Sequence, residues 1–407
     1  MPTSFEHHTL SNGLTIIAER DDSAATSACG FFVRTGARDE RPEVMGVSHF
    51  LEHMMFKGTE RRTSEDVNRE FDELGAKANA YTSNEMTAFY AATLPEHLPK
   101  AFEVLADMMR PALRESDFDT ERGVILEEIA MYDDDPAWVL YEKCVEEHYA
   151  GSGLAHRVLG TKETIGALQS AQMRTYFDAR YSADNTVLAL AGRVDFERAV
   201  RHAEEMCGSW TTTRADRDAT PPRVAGGAFT THSEKVGRGY AMLFAPGPGM
   251  RDEERYAAFI MAQALGGPDN SRLHWALVEP GLAEEASASF EPHDGIGDFR
   301  VLVACEPDRL DEVLGVVDRE IAGLATSVSD DDVERIRAKI ATGVTLAGER
   351  PEGRMHRLGR QWLYLREHTT LEEELERINA VTVADVRRLL ERWPWQPRTV
   401  GRMVPKG

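Results

Sequence analysis

Two helix-then-strand segments recur at one fixed offset, and that repeat limits what the chain can fold into more than any single motif does. The stretch "ETIGALQSAQMRTYFDARYSADNTVLALAGRV" closes the first half and "ERINAVTVADVRRLLERWPWQPRTVGRMV" closes the second. In both, a helix pattern meets an aromatic break and then a short apolar strand. Ile165 stands 21 residues before Thr186 and Ile378 stands 21 before Thr399, so the copies lie 213 residues apart. A constant offset implies a duplicated domain. Between Trp210 and His232 the chain turns polar, with a Pro pair and a Gly pair and neither helical nor strand period. These features predict a domain over 1–212, a linker over 213–229 and a homologous domain over 230–407.

Within the first half, "LTIIAER" and "SACGFFVRTG" read as strands, and a helix starts near Gly46. "SEDVNREFDELG" reads as a helix capped by Ser64, "ANAYTSNEMTAFYAATL" as strand material, and helices run from about Leu94 to Ala150. The mixture predicts an α+β fold, each domain an α/β roll with a mostly antiparallel sheet packed by helices. With 407 residues, 42% of them hydrophobic, the chain can bury two or more cores.

The four cysteines lie far apart without a CxxC pair, which predicts reduced core thiols. A formal net charge of -22 excludes nucleic acid and anionic membrane surfaces as natural partners. The N-terminal residues lack a basic segment leading into an apolar run, and no stretch reaches 18 apolar residues, so the expected location is cytoplasmic.

The stretch "VSHFLEHMMFKGTERRT" places His49 and His53 four residues apart, with Glu52 directly before the second. On a helix both rings meet one point in space, while Val47, Phe50, Leu51 and Met54 face a core. Zinc wants imidazole nitrogens at ~2.0–2.1 Å and a carboxylate near its water. An amphipathic helix with two exposed histidines satisfies the same spacing. On "ESDFDTERGVILEEIAMYDDDP", Glu121 and Glu128 share a face opposite Phe118, Ile125 and Ile129. There Glu128 would complete a set of two histidines and one glutamate, and Glu121 would orient a ligand histidine. Glu127 reads as solvated surface.

"HFLEHMMFKGT", followed 75 residues after His53 by Glu128, resembles the inverted zinc motif of the pitrilysin and insulinase metallopeptidases, the inverzincins. The short bacterial members and the catalytic subunit of mitochondrial processing peptidase are nearest in length and wording. The likeness extends to "NGLTIIAE", "ELGAKANAYTSNEMTAFYA", "LGTKETI" and "NTVLALAG". It implies that His49, His53 and Glu128 hold a zinc ion, that Glu52 is the general base and that Glu121 supports the site. It further implies that Asn79, Ala80, Tyr81 and Thr82 hydrogen-bond an extended peptide as an added strand, and that paired chains close around a chamber.

The second half departs from the family wording. Where members with a full set of residues read "SRL…REKRGLAYS", this chain reads "NSRLHWALVEPGLAEEASASF". Val278 falls near the Arg position, Glu284 falls at the Tyr position, and Arg272 belongs to the shared "SRL". The pair that would face the developing oxyanion is missing. The expectation is a zinc endopeptidase for unfolded peptides that borrows an Arg and a Tyr from a homologous subunit, with a weakly active homodimer as the lesser form. Rival readings are a non-catalytic core-type subunit and a dedicated processing peptidase with one client.

Overall fold

A computed structural model describes residues 3–406. Strands β1 (Ser4–Thr9), β2 (Thr15–Arg20), β3 (Ser27–Val33), β4 (Lys77–Thr82), β5 (Thr87–Thr93) and β6 (Thr186–Gly192) form one sheet in the order β1-β2-β6-β3-β5-β4. Strands β7 (Gly227–Ser233), β8 (Gly239–Gly247), β9 (Glu285–Pro292), β10 (Gly297–Cys305) and β11 (Thr399–Pro405) form a second in the order β7-β11-β8-β10-β9. Each sheet is antiparallel except for one parallel pair, β2 with β6 and β7 with β11. Apart from β1, the two orders superimpose strand for strand. The repeat read from the sequence has a direct counterpart here, because β6 begins at Thr186 and β11 begins at Thr399.

The helices of the first half are α1 (Val47–Met55), α2 (Ser64–Glu73), α3 (Leu98–Met108), α4 (Glu115–Tyr132), α5 (Pro136–His148), α6 (Lys162–Ala167), α7 (Ser170–Arg180) and α8 (Phe196–Cys207). Those of the second are α9 (Arg255–Gly266), α10 (Leu310–Ser327), α11 (Asp330–Gly348), α12 (Pro351–Leu365), α13 (Leu371–Ala380) and α14 (Val383–Arg392). The cap of α2 lies one residue earlier than Ser64. Thr63 Oγ1 accepts from the Asp66 amide at 3.1 Å while Asp66 accepts from the Thr63 amide at 3.0 Å, because only a cap at Thr63 puts a carboxylate three residues on. Among the described residues no helix is long and apolar enough to cross a membrane.

Two compact units emerge, and neither is a contiguous half. One comprises Met1–Ile129, His156–Asp218 and Thr345–His368; the other comprises Ala130–Ala155, Ala219–Val344 and Thr369–Gly407. This departs from the domains expected over 1–212 and 230–407, since each half gives one helical segment to the other unit. The sheets explain why. β3 and β6 are buried along their whole length, so both faces need cover. On one face Phe31 meets Phe102 of α3 with ring centroids 5.8 Å apart. The next residue, Phe32, points to the other face and meets α12, supplied by the second half. In the second unit, Leu243 packs into the cluster with α9, α10 and α14, whereas Met242 and Phe244 pack with Leu140 and Cys144 of α5.

Each exchanged helix sits where a glycine allows close approach. A Cβ on Gly359 of α12 would lie 2.4 Å from the Phe32 ring, and one on Gly401 of β11 would lie 2.4 Å from Cys144 Sγ. Gly359→Ala is therefore expected to destabilise the first unit by about 1–3 kcal/mol through overpacking, exceeding the gain of about 1 kcal/mol in helix propensity. Urea unfolding checks this; an unchanged or raised midpoint would mean that Phe32 moves aside freely. The four cysteines are free and buried, and burial pushes the Cys144 thiol up to about 12.

Candidate metal centre

Helix α1 is preceded by its cap Gly46, whose φ of +93° is the left-handed conformation that glycine takes without strain. A buried carboxylate closes that end: Glu40 accepts from the Gly46 amide at 2.6 Å and from the Ser48 amide at 2.7 Å. Burial pushes Glu40 up to about 8, and the two amides oppose that shift. Val47, Phe50, Leu51 and Met54 are all buried, which fixes the helix rotation. His49 and His53 then share the remaining face with Glu52 one step around.

Glu128 reaches the histidines from α4, where Phe118, Ile125 and Ile129 are buried and Glu127 is exposed. His49 Nε2 stands 3.8 Å from Glu128 Oε1, and His53 Nε2 stands 3.6 Å from Glu128 Oε2. One donor atom from each of the three residues lies within 4.8 Å of the other two. Those separations are too long for hydrogen bonds, but donors ~2.0–2.1 Å from one tetrahedral ion lie ~3.4 Å apart. Burial, helped by the neighbouring His53, pushes His49 down to about 3, so its imidazole is neutral and its lone pair available. Burial also raises Glu128, a cost that a divalent cation between these groups would offset. The donor set, two imidazoles and a carboxylate, suits zinc.

Behind the histidines the two rings differ. His53 Nδ1 is 2.9 Å from Glu121 Oε1, and Glu121 is buried on α4, about two turns before Glu128. His49 Nδ1 is buried with no hydrogen-bond partner among the described residues. Among the described residues, a carboxylate sets the tautomer of His53 but not that of His49.

Glu52 Oε2 accepts a 2.6 Å hydrogen bond from Thr82 Oγ1 on β4. Burial raises Glu52, and the Thr82 bond opposes it. Strand β4 is the edge of its sheet. The β4–β5 hairpin closes with the Ser83 amide donating to Met86 O at 2.8 Å, so alternation makes Tyr81–Ala88 and Asn79–Tyr90 the hydrogen-bonded pairs. Ala80 and Thr82 therefore direct their amides and carbonyls to the open edge, whereas Asn79 and Tyr81 turn theirs toward β5. The Asn79 side chain accepts from the Ala80 amide through its Oδ1 at 2.9 Å. Tyr81 turns its ring to the same face of the strand as Asn79, 5.8 Å from His356 of α12.

In the second unit, Val278 ends a π-helical turn over His274–Val278. The Glu284 carboxylate is held at 2.6 Å by Arg238, and Arg272 lies 3.6 Å from Glu320. No Arg or Tyr stands at 278 or 284.

Sequence reasoning missed Glu40 as the carboxylate that closes α1, and missed the bond from Thr82 to Glu52. The second lay within a quoted strand, but a contact between residues thirty apart leaves no periodic signal.

The Insulinase (Peptidase family M16) model matches residues 15–162, and the Peptidase M16 inactive domain model matches 167–340. An "uncharacterized zinc protease" of Streptomyces coelicolor is 33% identical over 391 residues, covering 93% of this chain and 85% of the relative. One from Bacillus subtilis is 28% identical over 411 residues, covering 99% and 98%. Among solved structures, a protease from Helicobacter pylori superimposes with a TM-score of 0.92 at 18% identity, each chain covered at 100%. A "peptidase M16 inactive domain" from Pseudomonas fluorescens gives 0.91 at 17%, each covered at 99%. These two show the fold. With an insulinase model over the first part and a relative of this identity along most of its length, the chain belongs to the insulinase family, peptidase family M16.

Proposed function

We propose that the protein is a zinc-dependent endopeptidase for unfolded peptides and the zinc-bearing member of a paired assembly. The observation that carries this reading is the convergence of His49, His53 and Glu128 within 4.8 Å, with Glu52 held at its side by Thr82. His49, His53 and Glu128 would hold the ion, which supplies Lewis acidity toward water and the scissile carbonyl. Glu52 Oε2 is engaged by Thr82, and Oε1 accepts no hydrogen bond among the described residues. Oε1 is thus placed to take the proton of the attacking water and return it to the leaving amine. A peptide laid along β4 as an added strand would meet the backbone of Ala80 and Thr82, which suits recognition of extended chains regardless of side chain.

The two positions where family members carry the Arg and the Tyr supply no such donor in this chain. Val278 has no polar side chain, and the Glu284 carboxylate would repel a developing oxyanion. A homologous subunit carrying an Arg and a Tyr would provide the missing donors, with the two chains closing around the peptide. The non-catalytic core-type reading is less favoured, since such a subunit has no use for all four of His49, Glu52, His53 and Glu128. Zinc analysis and a quenched-peptide assay on the purified chain test the reading. We expect one zinc per chain and slow cleavage alone, rising roughly ten-fold or more with the partner, about 1.4 kcal/mol per decade. A purified homo-oligomer turning over at about 1–10³ per second would make the partner unnecessary.

A further inference from the structure

The zinc motif runs on into "FKGT", and nothing in the mechanism above uses those four residues. Helix α1 ends at Met55, with the Phe56 amide donating back to His53 and Met54. Gly58 then takes a φ of +99°, where a Cβ would stand 2.4 Å from Arg62 O, so the chain turns sharply there only because the residue is glycine. Arg114, just before α4, pins both sides of the turn: it donates to Lys57 O at 3.3 Å and to Thr59 O at 2.6 Å. Lys57 is thereby aimed at α4. Its Nζ lies 2.5 Å from Glu121 Oε2, the oxygen that His53 does not use.

We propose that Lys57 is a positioning residue of the metal centre. This rests on the reading of His53 as a ligand. Lys57 Nζ, the Glu121 carboxylate and the His53 ring form one chain of contacts at 2.5 and 2.9 Å. With one oxygen held by the ammonium, Glu121 presents the other to the Nδ1–H of His53, which leaves His53 Nε2 directed toward Glu128 and the ion. The charges also balance. Glu52, Glu121 and Glu128 bring three negative charges, and Lys57 with a divalent cation brings three positive ones. Glu121 Oε2 accepts no hydrogen bond among the described residues, so without Lys57 it would lose the ammonium beside it and the buried carboxylate could turn away from the histidine. His49, which has no such support, cannot substitute for the alignment lost at His53.

The test is zinc affinity of the full chain, measured by competition with a chromogenic zinc chelator, together with the melting temperature of the metal-free protein. Lys57→Met is expected to weaken zinc binding about ten-fold, the low end of the range for groups that orient a ligand, and Glu121→Gln by at least as much. Lys57→Arg should recover most of the loss. Lys57→Met strands a buried carboxylate, so the metal-free melting temperature is expected to fall as well; a merely structural lysine would lower that temperature and leave the zinc affinity alone. Zinc affinity in Lys57→Met equal to or tighter than native, while Glu121→Gln weakens it, would overturn the inference and leave the site reading intact. A native chain that takes up no zinc would end the site reading, and this inference with it.

Discussion

Glu52→Gln is expected to retain a full complement of zinc and to lose about 10²–10⁴-fold in peptide hydrolysis, the span typical of a general acid–base group. The amide is nearly isosteric, and the bond from Thr82 has an acceptor in the amide oxygen, so the helix and the ligand set are left alone. What disappears is the capacity to take a proton at the oxygen that Thr82 leaves free. The measurement is kcat/KM on a flexible quenched peptide beside zinc content by metal analysis. Near-normal turnover with zinc present would remove Glu52 from the chemistry and, with it, the peptidase mechanism proposed here.

The second large effect belongs to Glu128. Glu128→Gln removes the charge from a carboxylate that stands against both ring nitrogens, at 3.8 and 3.6 Å. Zinc should be lost on dialysis against a mild chelator, a larger effect than the roughly 10–100-fold expected of a group that only orients a ligand. Activity should fall with the metal and return in part when excess zinc is supplied. Glu127→Gln, one residue away on the exposed side of α4, should leave zinc content and turnover unchanged. If the two variants exchanged behaviours, the rotation of α4 inferred from buried Phe118, Ile125 and Ile129 would be wrong in solution.

Much of the metal centre was legible because helices write their geometry into spacing. Residues four apart share a face, so His49 and His53 declare a common direction, and residues seven apart do the same for Glu121 and Glu128. The apolar residues between them declare which face is buried. What joins α1 to α4 is different. No period links residue 53 to residue 128, and the pairing rested on resemblance to a family until the packing placed the two helices together. Strand β4 was legible only as a whole. That Ala80 and Thr82 turn outward while Asn79 and Tyr81 turn inward depends on where the hairpin closes, between Ser83 and Met86, and a shift of one residue would invert the assignment.

By itself, the sequence determined the α+β class, the duplication and the face of α1 that carries His49 and His53. All three rest on local periods and on an offset of 213 residues, which neighbouring side chains and simple counting make visible. Tertiary structure alone decided which helix covers which sheet. The chain reads as two halves joined by a polar linker, yet α5 belongs with β8 and β11, and α12 with β3 and β6. Local pattern marks both helices as amphipathic and gives no partner for the apolar face. That choice is made by shape: a sheet whose two faces are both apolar must be covered twice, and each exchanged helix fits where a glycine, Gly30 and Gly359 in one unit and Gly401 in the other, lets the backbones close. Tertiary structure likewise decided the company of Glu52, Glu121 and α1 itself. Thr82, Lys57 and Glu40 reach them from other elements or other turns, and hydrogen bonds and an ion pair brought into contact by folding leave no mark in the order of residues.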